Sequence, residues 1–472
     1  MKKLLGETLI YGMGAILPRI IVFILNPLYI HFIAPEAFAQ FTSLYALISF
    51  VNILLTFGFE TAYFRFSAEK DQEQKTFNTS FWFVAINALV FLALCLVFTT
   101  PLSNYLGYAQ TPEYIQWMAW IAFLDAICIV PLAYLRFNNK PVTYSAVRVL
   151  QALVHTVFVI ALFLWIPASF SEGLGMKEKV SYTFFSNLIG SLAGVLLLVP
   201  ILLKVKFSFD FTLFKRMFSY AWPVMIAGIA FMINENLDKA MQYYKIPPEE
   251  AGAYGGCYKL AVLMTLVVTA YRMGIEPYFF KQMNDKNAKF TYAKITEYFT
   301  YFASIMAMGI IANVGWLKQL FIPNSSYWIA LDIIPIIIIA NLFFGIYYNL
   351  STWYKVTDRT VVGTYISWIG ALFTLVLNLL LLEKYGFMVS AYVTLGAYFL
   401  MMVLSYFLGQ KYYPIPYNIK KIGFTILLLI VGSFVSYEIF NANFWIGNII
   451  FIIFTVLILY RERSFITKSI GK

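Results

Sequence analysis

Arg19, Arg148, Lys259 and Arg272 lie inside stretches of otherwise apolar sequence, as do the acids Glu60, Asp125, Glu235, Asp238 and Glu276 and one histidine, His155. A charge at the centre of a bilayer costs about 2.5–3.5 kcal/mol on insertion scales, so a membrane-embedded ionisable group is a candidate for function by default. The chemistry open to these groups is electrostatic. Basic side chains hold anions, Arg in a bidentate fork. Acids and His bind a proton or a cation, or serve as counter-ions.

Spacing sorts the candidates. Arg19 sits about ten residues into the first apolar run, and Asn26, seven residues on, shares its helical face. Gly12, Gly14, Pro18 and Pro27 make that helix breakable. Arg19 either faces a lumen or pairs with an acid on a neighbouring helix. Arg148, Gln151 and His155 stand at i, i+3 and i+7, a polar stripe on one face. His155 is either a proton relay or a hydrogen-bonded core residue, and Arg148 is near enough to a helix end to snorkel. Asp125, midway along its run, either binds a coupling cation or neutralises Arg19 or Arg148. Asn234, Glu235, Asn236, Asp238 and Lys239 cluster at one end of a single run, which suits either cavity lining or an interfacial helix end. Glu235 with Lys239, and Arg272 with Glu276, are spaced i, i+4 for local pairing. His31 and His155 are far apart, which leaves no metal site to expect. Cys95, Cys128 and Cys257 fall in apolar runs and read as small buried hydrophobes.

The elements that must position these groups are membrane helices. The chain is 61% hydrophobic and 12% charged, against about 25% charged residues in a soluble domain. Apolar runs of about 20 residues recur throughout, each long enough to span about 30 Å. About fourteen spans are expected, the seventh near residues 217–240, the eighth near 252–276 and the tenth near 326–350. The net charge of +11 is topogenic rather than a nucleic-acid footprint. With the N-terminus inside, 24 of the 34 Lys and Arg residues fall in cytoplasmic segments, 6 in outer loops and 4 within spans. That bias places both termini in the cytoplasm.

An internal repeat sets the architecture. Pro35-Glu36-Ala37-Phe38-Ala39-Gln40-Phe41 aligns on Pro248-Glu249-Glu250-Ala251-Gly252-Ala253-Tyr254, and Gly58-Phe59-Glu60 with Arg65 aligns on Gly274-Ile275-Glu276 with Lys281. Arg136 to Lys140 echoes Lys355 to Arg359. The copies are six spans apart and therefore parallel. Two six-helix lobes are predicted, residues 1–210 and 211–410, with a two-helix extension over 411–472 and the transport path between the lobes. Glu60 with Arg65, copied as Glu276 with Lys281, reads as a shared structural or gating feature at the inner end of each lobe.

In these residues the sequence resembles the multidrug/oligosaccharidyl-lipid/polysaccharide (MOP) flippase superfamily, within it the polysaccharide-biosynthesis flippases of the Wzx type. The resemblance rests on Pro35–Phe64, on Asp238 ahead of Gly252-Ala253-Tyr254 and Tyr258-Lys259-Leu260, on Glu276-Pro277, and on Asn378 followed by Lys384-Tyr385-Gly386 and Ser390-Ala391. Ala39 stands where the family usually has Gly. The resemblance implies an all-α polytopic fold of two pseudo-symmetric lobes working by alternating access. It also implies transfer of a polyprenyl-pyrophosphate-linked oligosaccharide from the cytoplasmic to the outer leaflet of a bacterial inner membrane, driven by H+ or Na+. On that reading Arg19, Arg148, Lys259 and Arg272 meet the anionic headgroup, and Asn26, Gln151 and Asn234 line the cavity. Asp125, His155, Glu235, Asp238, Glu60 and Glu276 couple ions or pair charges. Partners are the lipid-linked glycan, the bilayer and other polysaccharide-assembly membrane proteins. No nucleic acid, no further cofactor and no enzymatic step are expected. The alternative is a cation-coupled multidrug or small-metabolite antiporter on the same fold, against which the embedded basic residues argue.

Overall fold

The computed structural model describes residues 2–283 and 285–462, the side chains of residues 2–11 and of Pro277 excepted. The topogenic Arg463, Lys468 and Lys472, the side chains of Lys2 and Lys3, and the proline of the Glu276-Pro277 motif therefore lie outside the described residues. Among the described residues fourteen helices are long and apolar enough to cross a membrane. They are α1 (Gly12–Phe32), α2 (Pro35–Ser67), α3 (Glu73–Val97), α4 (Pro112–Phe137), α5 (Pro141–Trp165), α6 (Lys179–Leu202) and α7 (Phe211–Lys245). The remainder are α8 (Pro248–Gln282), α9 (Ala288–Ala312), α10 (Ile333–Val356), α11 (Thr360–Tyr385), α12 (Met388–Tyr412), α13 (Ile419–Ile439) and α14 (Phe444–Arg461). The tenth span departs most from the sequence expectation. Ser325–Ala330 forms a 3₁₀ turn, and the helix begins only at Ile333.

Prolines fix many of the boundaries. Pro35, Pro112, Pro141 and Pro248 open α2, α4, α5 and α8, where the missing N–H would have had no helical partner. Pro18 stays inside the helix of α1, whereas the chain turns at Leu25 ahead of Asn26 and Pro27. Pro27 cannot donate to the carbonyl four residues back, that of Phe23. The Asn26 amide takes it, Nδ2 donating at 2.8 Å.

The chain divides into two compact units: one holds residues through Ile33 together with Gln40–Met232, the other Ala34–Ala39 together with the chain from Ile233 onward. The division falls inside α7. In the first unit α3 packs on α4, and α6 on both α4 and α5. Six spans later the pattern returns: α9 packs on α10, and α12 on both α10 and α11. In the second unit the buried share of the apolar window is 78% for α10 and 17% for α14, so α10 is its central helix and α14 a peripheral one. Helices α13 and α14 both lie against α9.

The repeat extends to backbone detail. After α4, Asn139 takes φ +51° and the Lys140 amide donates to the Leu135 carbonyl at 2.9 Å. After α10, Asp358 takes φ +56° and the Arg359 amide donates to the Tyr354 carbonyl at 2.8 Å. Both close their helices with the six-to-one bond of a left-handed C-terminal cap. The copies differ in the helix that follows the Pro-Glu turn. In α2 the chain breaks at Phe57 and Gly58, at φ +52° and +73°, while α8 continues as a helix past Gly274.

Gly252 and Ala39, equivalent in the repeat, have different surroundings. A Cβ on Gly252 would fall 1.7 Å from the Pro35 carbonyl oxygen, so no side chain fits there. Ala39 is fully buried beside Ile246, Ala251 and Leu382, with room for its methyl group. Gly252→Val should therefore force the 34–39 turn off α8, costing about 1–3 kcal/mol by overpacking. The check is the melting midpoint of the detergent-solubilised protein; an unchanged midpoint would refute the contact.

Candidate functional site

Each unit encloses a polar network, and the two are built differently. In the first unit the stripe on α5 meets α4 and α6. Arg148 Nη1 donates to Gln151 Oε1 at 3.4 Å. Asp125, on α4, accepts from the Ser191 hydroxyl of α6 at 2.8 Å and lies within electrostatic reach of Arg148. His155 Nε2 faces the hydroxyl of Tyr29 at 3.5 Å, and Asn187 donates to the Tyr45 hydroxyl at 2.8 Å. Two glycines of α6 permit this approach. A Cβ on Gly190 would come 2.9 Å from that of His155, and one on Gly194 3.1 Å from Gln151 Cδ.

Arg19 is exposed on α1, whereas Asn26 is 6% exposed. The expectation that these two share a face fails because the turn at Leu25 interrupts the helix between them. The Asn26 side chain donates to the Phe23 carbonyl.

In the second unit the polar end of α7 is a buried ionic network. Asp238 is 3% exposed and accepts from the Tyr254 hydroxyl of α8 at 2.5 Å, from its neighbour's backbone amide (Lys239 N) at 2.8 Å and from Lys239 Nζ at 3.1 Å. Lys239 Nζ also donates to the Glu235 backbone carbonyl at 2.8 Å and lies 3.8 Å from the centre of the Tyr258 ring. The expected Glu235–Lys239 side-chain pair is therefore replaced. The Glu235 carboxylate accepts instead from the Tyr398 hydroxyl of α12. Asn234 is buried, donating to the Ser367 carbonyl at 3.1 Å and accepting from the Thr374 hydroxyl at 3.2 Å. Lys259, half-buried on α8, is within electrostatic reach of Lys239.

The acids at the other end of each repeat also take partners unlike those expected. Glu60 pairs with Arg136 at 2.6 Å rather than with Arg65, and Glu276 pairs with Lys355 at 2.9 Å rather than with Arg272. Arg272 lies over the Tyr348 ring at 4.8 Å. Glu60 and Glu276 are equivalent in the repeat, as are Arg136 and Lys355. The two pairs are thus copies of one acid–base contact between the second and fourth helix of each unit.

Sequence reasoning missed Ser191, Tyr45, Tyr254 and Tyr398. The tyrosines were lost in an aromatic content of 19%, which by itself looks like lipid-facing and interfacial material. Tyr254 and Tyr398 are instead hydroxyl donors to the Asp238 and Glu235 carboxylates of α7.

Fourteen helices able to cross a membrane, with charge networks among them, define a multi-pass membrane protein. The structure of the lipid II flippase MurJ in an inward closed conformation is similar over 97% of this chain and 100% of that one, with a TM-score of 0.76 at 17% identity. A MATE transporter of Vibrio cholerae is similar over 87% of this chain and 96% of its own, TM-score 0.62 at 14% identity. In sequence, the chain is 20% identical over 289 residues to a protein of the Lsg locus of Haemophilus influenzae, covering 60% of this chain and 68% of that one. It is 23% identical over 354 residues to an uncharacterized membrane protein of Methanocaldococcus jannaschii, covering 72% of this chain and 66% of that one. The chain belongs to the polysaccharide biosynthesis protein family, whose sequence model matches residues 4–283.

Proposed function

We propose that this protein is a flippase that moves a polyprenyl-pyrophosphate-linked oligosaccharide from the cytoplasmic to the outer leaflet of the bacterial inner membrane, for the synthesis of a cell-surface polysaccharide. It works by alternating access and without covalent chemistry, with both termini in the cytoplasm and other polysaccharide-assembly membrane proteins as neighbours. The reading is carried by Arg148, a half-buried guanidinium on α5 whose hydrogen bond to Gln151 among the described residues leaves donors for a second acceptor. Family membership and the fold shared with the lipid II flippase support it. A diphosphate headgroup cannot cross lipid unaided, and a guanidinium offers it two parallel charge-assisted hydrogen bonds. Arg19, Lys259 and Arg272 are the further headgroup residues of this proposal. Proton or sodium exchange drives the cycle, with Asp125, His155, Glu235 and Asp238 as the groups able to sense the ion.

The test is export. Arg19→Ala is expected to abolish surface glycan in cells that depend on this gene, at normal protein levels in the membrane, by losing an interaction on the order of 1.5–3 kcal/mol with a charged partner. Glycan export that survives the substitution would remove Arg19 from the headgroup site. A cation-coupled antiporter is the second reading, favoured by the buried Asp238 and the half-buried Glu235. It predicts that deleting the gene sensitises cells to cationic drugs and leaves surface glycan intact.

A further inference from the structure

We infer that the segment joining α6 to α7, residues 203–211, is a docking surface for anionic phospholipid. Phe207 and its apolar neighbours enter the headgroup layer, Lys204, Lys206 and Lys215 hold the phosphates, and Asn78 is the positioning residue. The inference does not depend on which substrate is moved, and on the topology proposed above the surface belongs to the cytoplasmic leaflet.

The segment is strapped to one face of α3, on which Gln74, Asn78 and Trp82 stand at i, i+4 and i+8. Gln74 Nε2 donates to Asn78 Oδ1 at 2.9 Å and to the Lys204 carbonyl at 3.1 Å. The buried Asn78 carboxamide accepts from the Lys206 amide at 3.0 Å and donates to the Ser208 hydroxyl at 3.2 Å. Trp82 Nε1 donates to the Lys206 carbonyl at 3.0 Å. At the far end the Asp210 amide donates to the Thr79 hydroxyl at 3.2 Å, and the Asp210 carboxylate accepts from the Leu213 amide at 2.9 Å in the first turn of α7. Backbone groups engaged in this way give the strap a defined shape.

What the strap displays is apolar and basic. Val205 packs inward on the core of the first unit. Phe207 is 91% exposed, its ring meeting Trp82 edge-on at 4.9 Å, and Leu203 is 80% exposed; Phe209 and Phe211 are exposed as well. Among the described residues none of Lys204, Lys206 and Lys215 pairs with an acid. Asp210 is engaged by Leu213, and nearby Glu69 by Arg216 at 2.7 Å. Water leaves the apolar side chains uncovered, and hydrocarbon leaves the lysines unsolvated. The headgroup layer of an anionic leaflet meets both demands, as it does for other lysine-bearing amphipathic surfaces beside a span. Both helices that flank the strap are spans, and that position favours lipid over a soluble acidic partner.

A fluorescent probe tests the surface directly. The native Cys95, Cys128 and Cys257 are buried, so a bimane on Phe207→Cys reports that position alone. In nanodiscs of phosphatidylcholine, brominated phosphatidylglycerol should quench the probe with a relative affinity fivefold or more above that of brominated phosphatidylcholine. A bimane on Tyr105→Cys, 86% exposed beyond the other end of α3, should show no preference. Lys204→Gln, Lys206→Gln and Lys215→Gln together should bring the preference below about twofold, since one lysine near an anionic surface contributes about fivefold, and the three corresponding Arg substitutions should retain it. Asn78→Leu should lower the preference likewise and open Lys206 to trypsin; a preference kept in that variant would remove Asn78 as the positioning residue. Equal quenching by the two lipids, or a preference that survives the three Gln substitutions, would overturn the anionic site. Quenching by aqueous iodide and by neither lipid would place the strap in water and overturn lipid docking itself.

Discussion

Asp238→Ala is expected to lower the stability of the second unit by about 3–5 kcal/mol, the cost of stripping one partner from a buried ion pair. Asp238 is 3% exposed and Lys239, its partner, has a side chain only 14% exposed. Without the carboxylate, the Lys239 ammonium keeps, among the described residues, the Glu235 carbonyl and the face of Tyr258, and the Tyr254 hydroxyl loses its acceptor. A buried, under-satisfied cation is more damaging than the absence of both charges. Asp238→Ala with Lys239→Met should therefore recover much of the loss. The melting midpoint of the solubilised protein separates these cases, and a double variant less stable than Asp238→Ala alone would disprove the account.

Glu297→Ala should loosen α13 and α14 from the second unit. Glu297, on α9, is 2% exposed and gathers Lys294 Nζ at 3.1 Å, Lys421 Nζ at 3.1 Å and the Tyr301 hydroxyl at 2.9 Å. Lys421, at the start of α13, also bonds Glu462 just past α14, and the Tyr301 hydroxyl lies 3.2 Å from the same carboxylate. One carboxylate thus helps tie three helices. Its removal leaves two ammonium groups short of an acceptor, at a cost again of about 3–5 kcal/mol, reduced to the extent that the partly exposed lysines reach solvent. Limited proteolysis reads the effect. The 413–418 segment between α12 and α13 should be cut several-fold faster in Glu297→Ala, and Glu297→Gln, which keeps the volume and one acceptor, should fall between. Cutting at the wild-type rate in Glu297→Ala would show that the pair docks by apolar packing alone.

Much of this architecture was legible because membrane insertion leaves few options. A run of about 20 apolar residues must become a helix, since lipid satisfies no backbone hydrogen bond, and fourteen such runs gave fourteen helices. The repeat was legible because its markers are Pro, Gly, Glu and basic residues, whose backbone and charge requirements recur wherever the fold does. The stripe Arg148, Gln151 and His155 was legible for the same periodic reason. Helical spacing, however, says which residues share a face and not which neighbour that face meets. Glu60 found Arg136, 76 residues away in sequence, and Glu276 found Lys355, because helix packing brought the end of the fourth helix of each unit to those carboxylates.

The sequence by itself therefore determined the helices, their count, the two copies and the set of charges that could matter. It did so through hydropathy and periodicity, which are local. Tertiary structure alone decided the partners. It set Ser191 against Asp125, gave Glu235 to Tyr398 in place of Lys239, and turned Asn26 to the Phe23 carbonyl, to which Pro27 cannot donate. Each of those outcomes depends on how helices are rotated and how closely they approach, which is fixed by non-local contacts such as those that Gly190 and Gly194 allow.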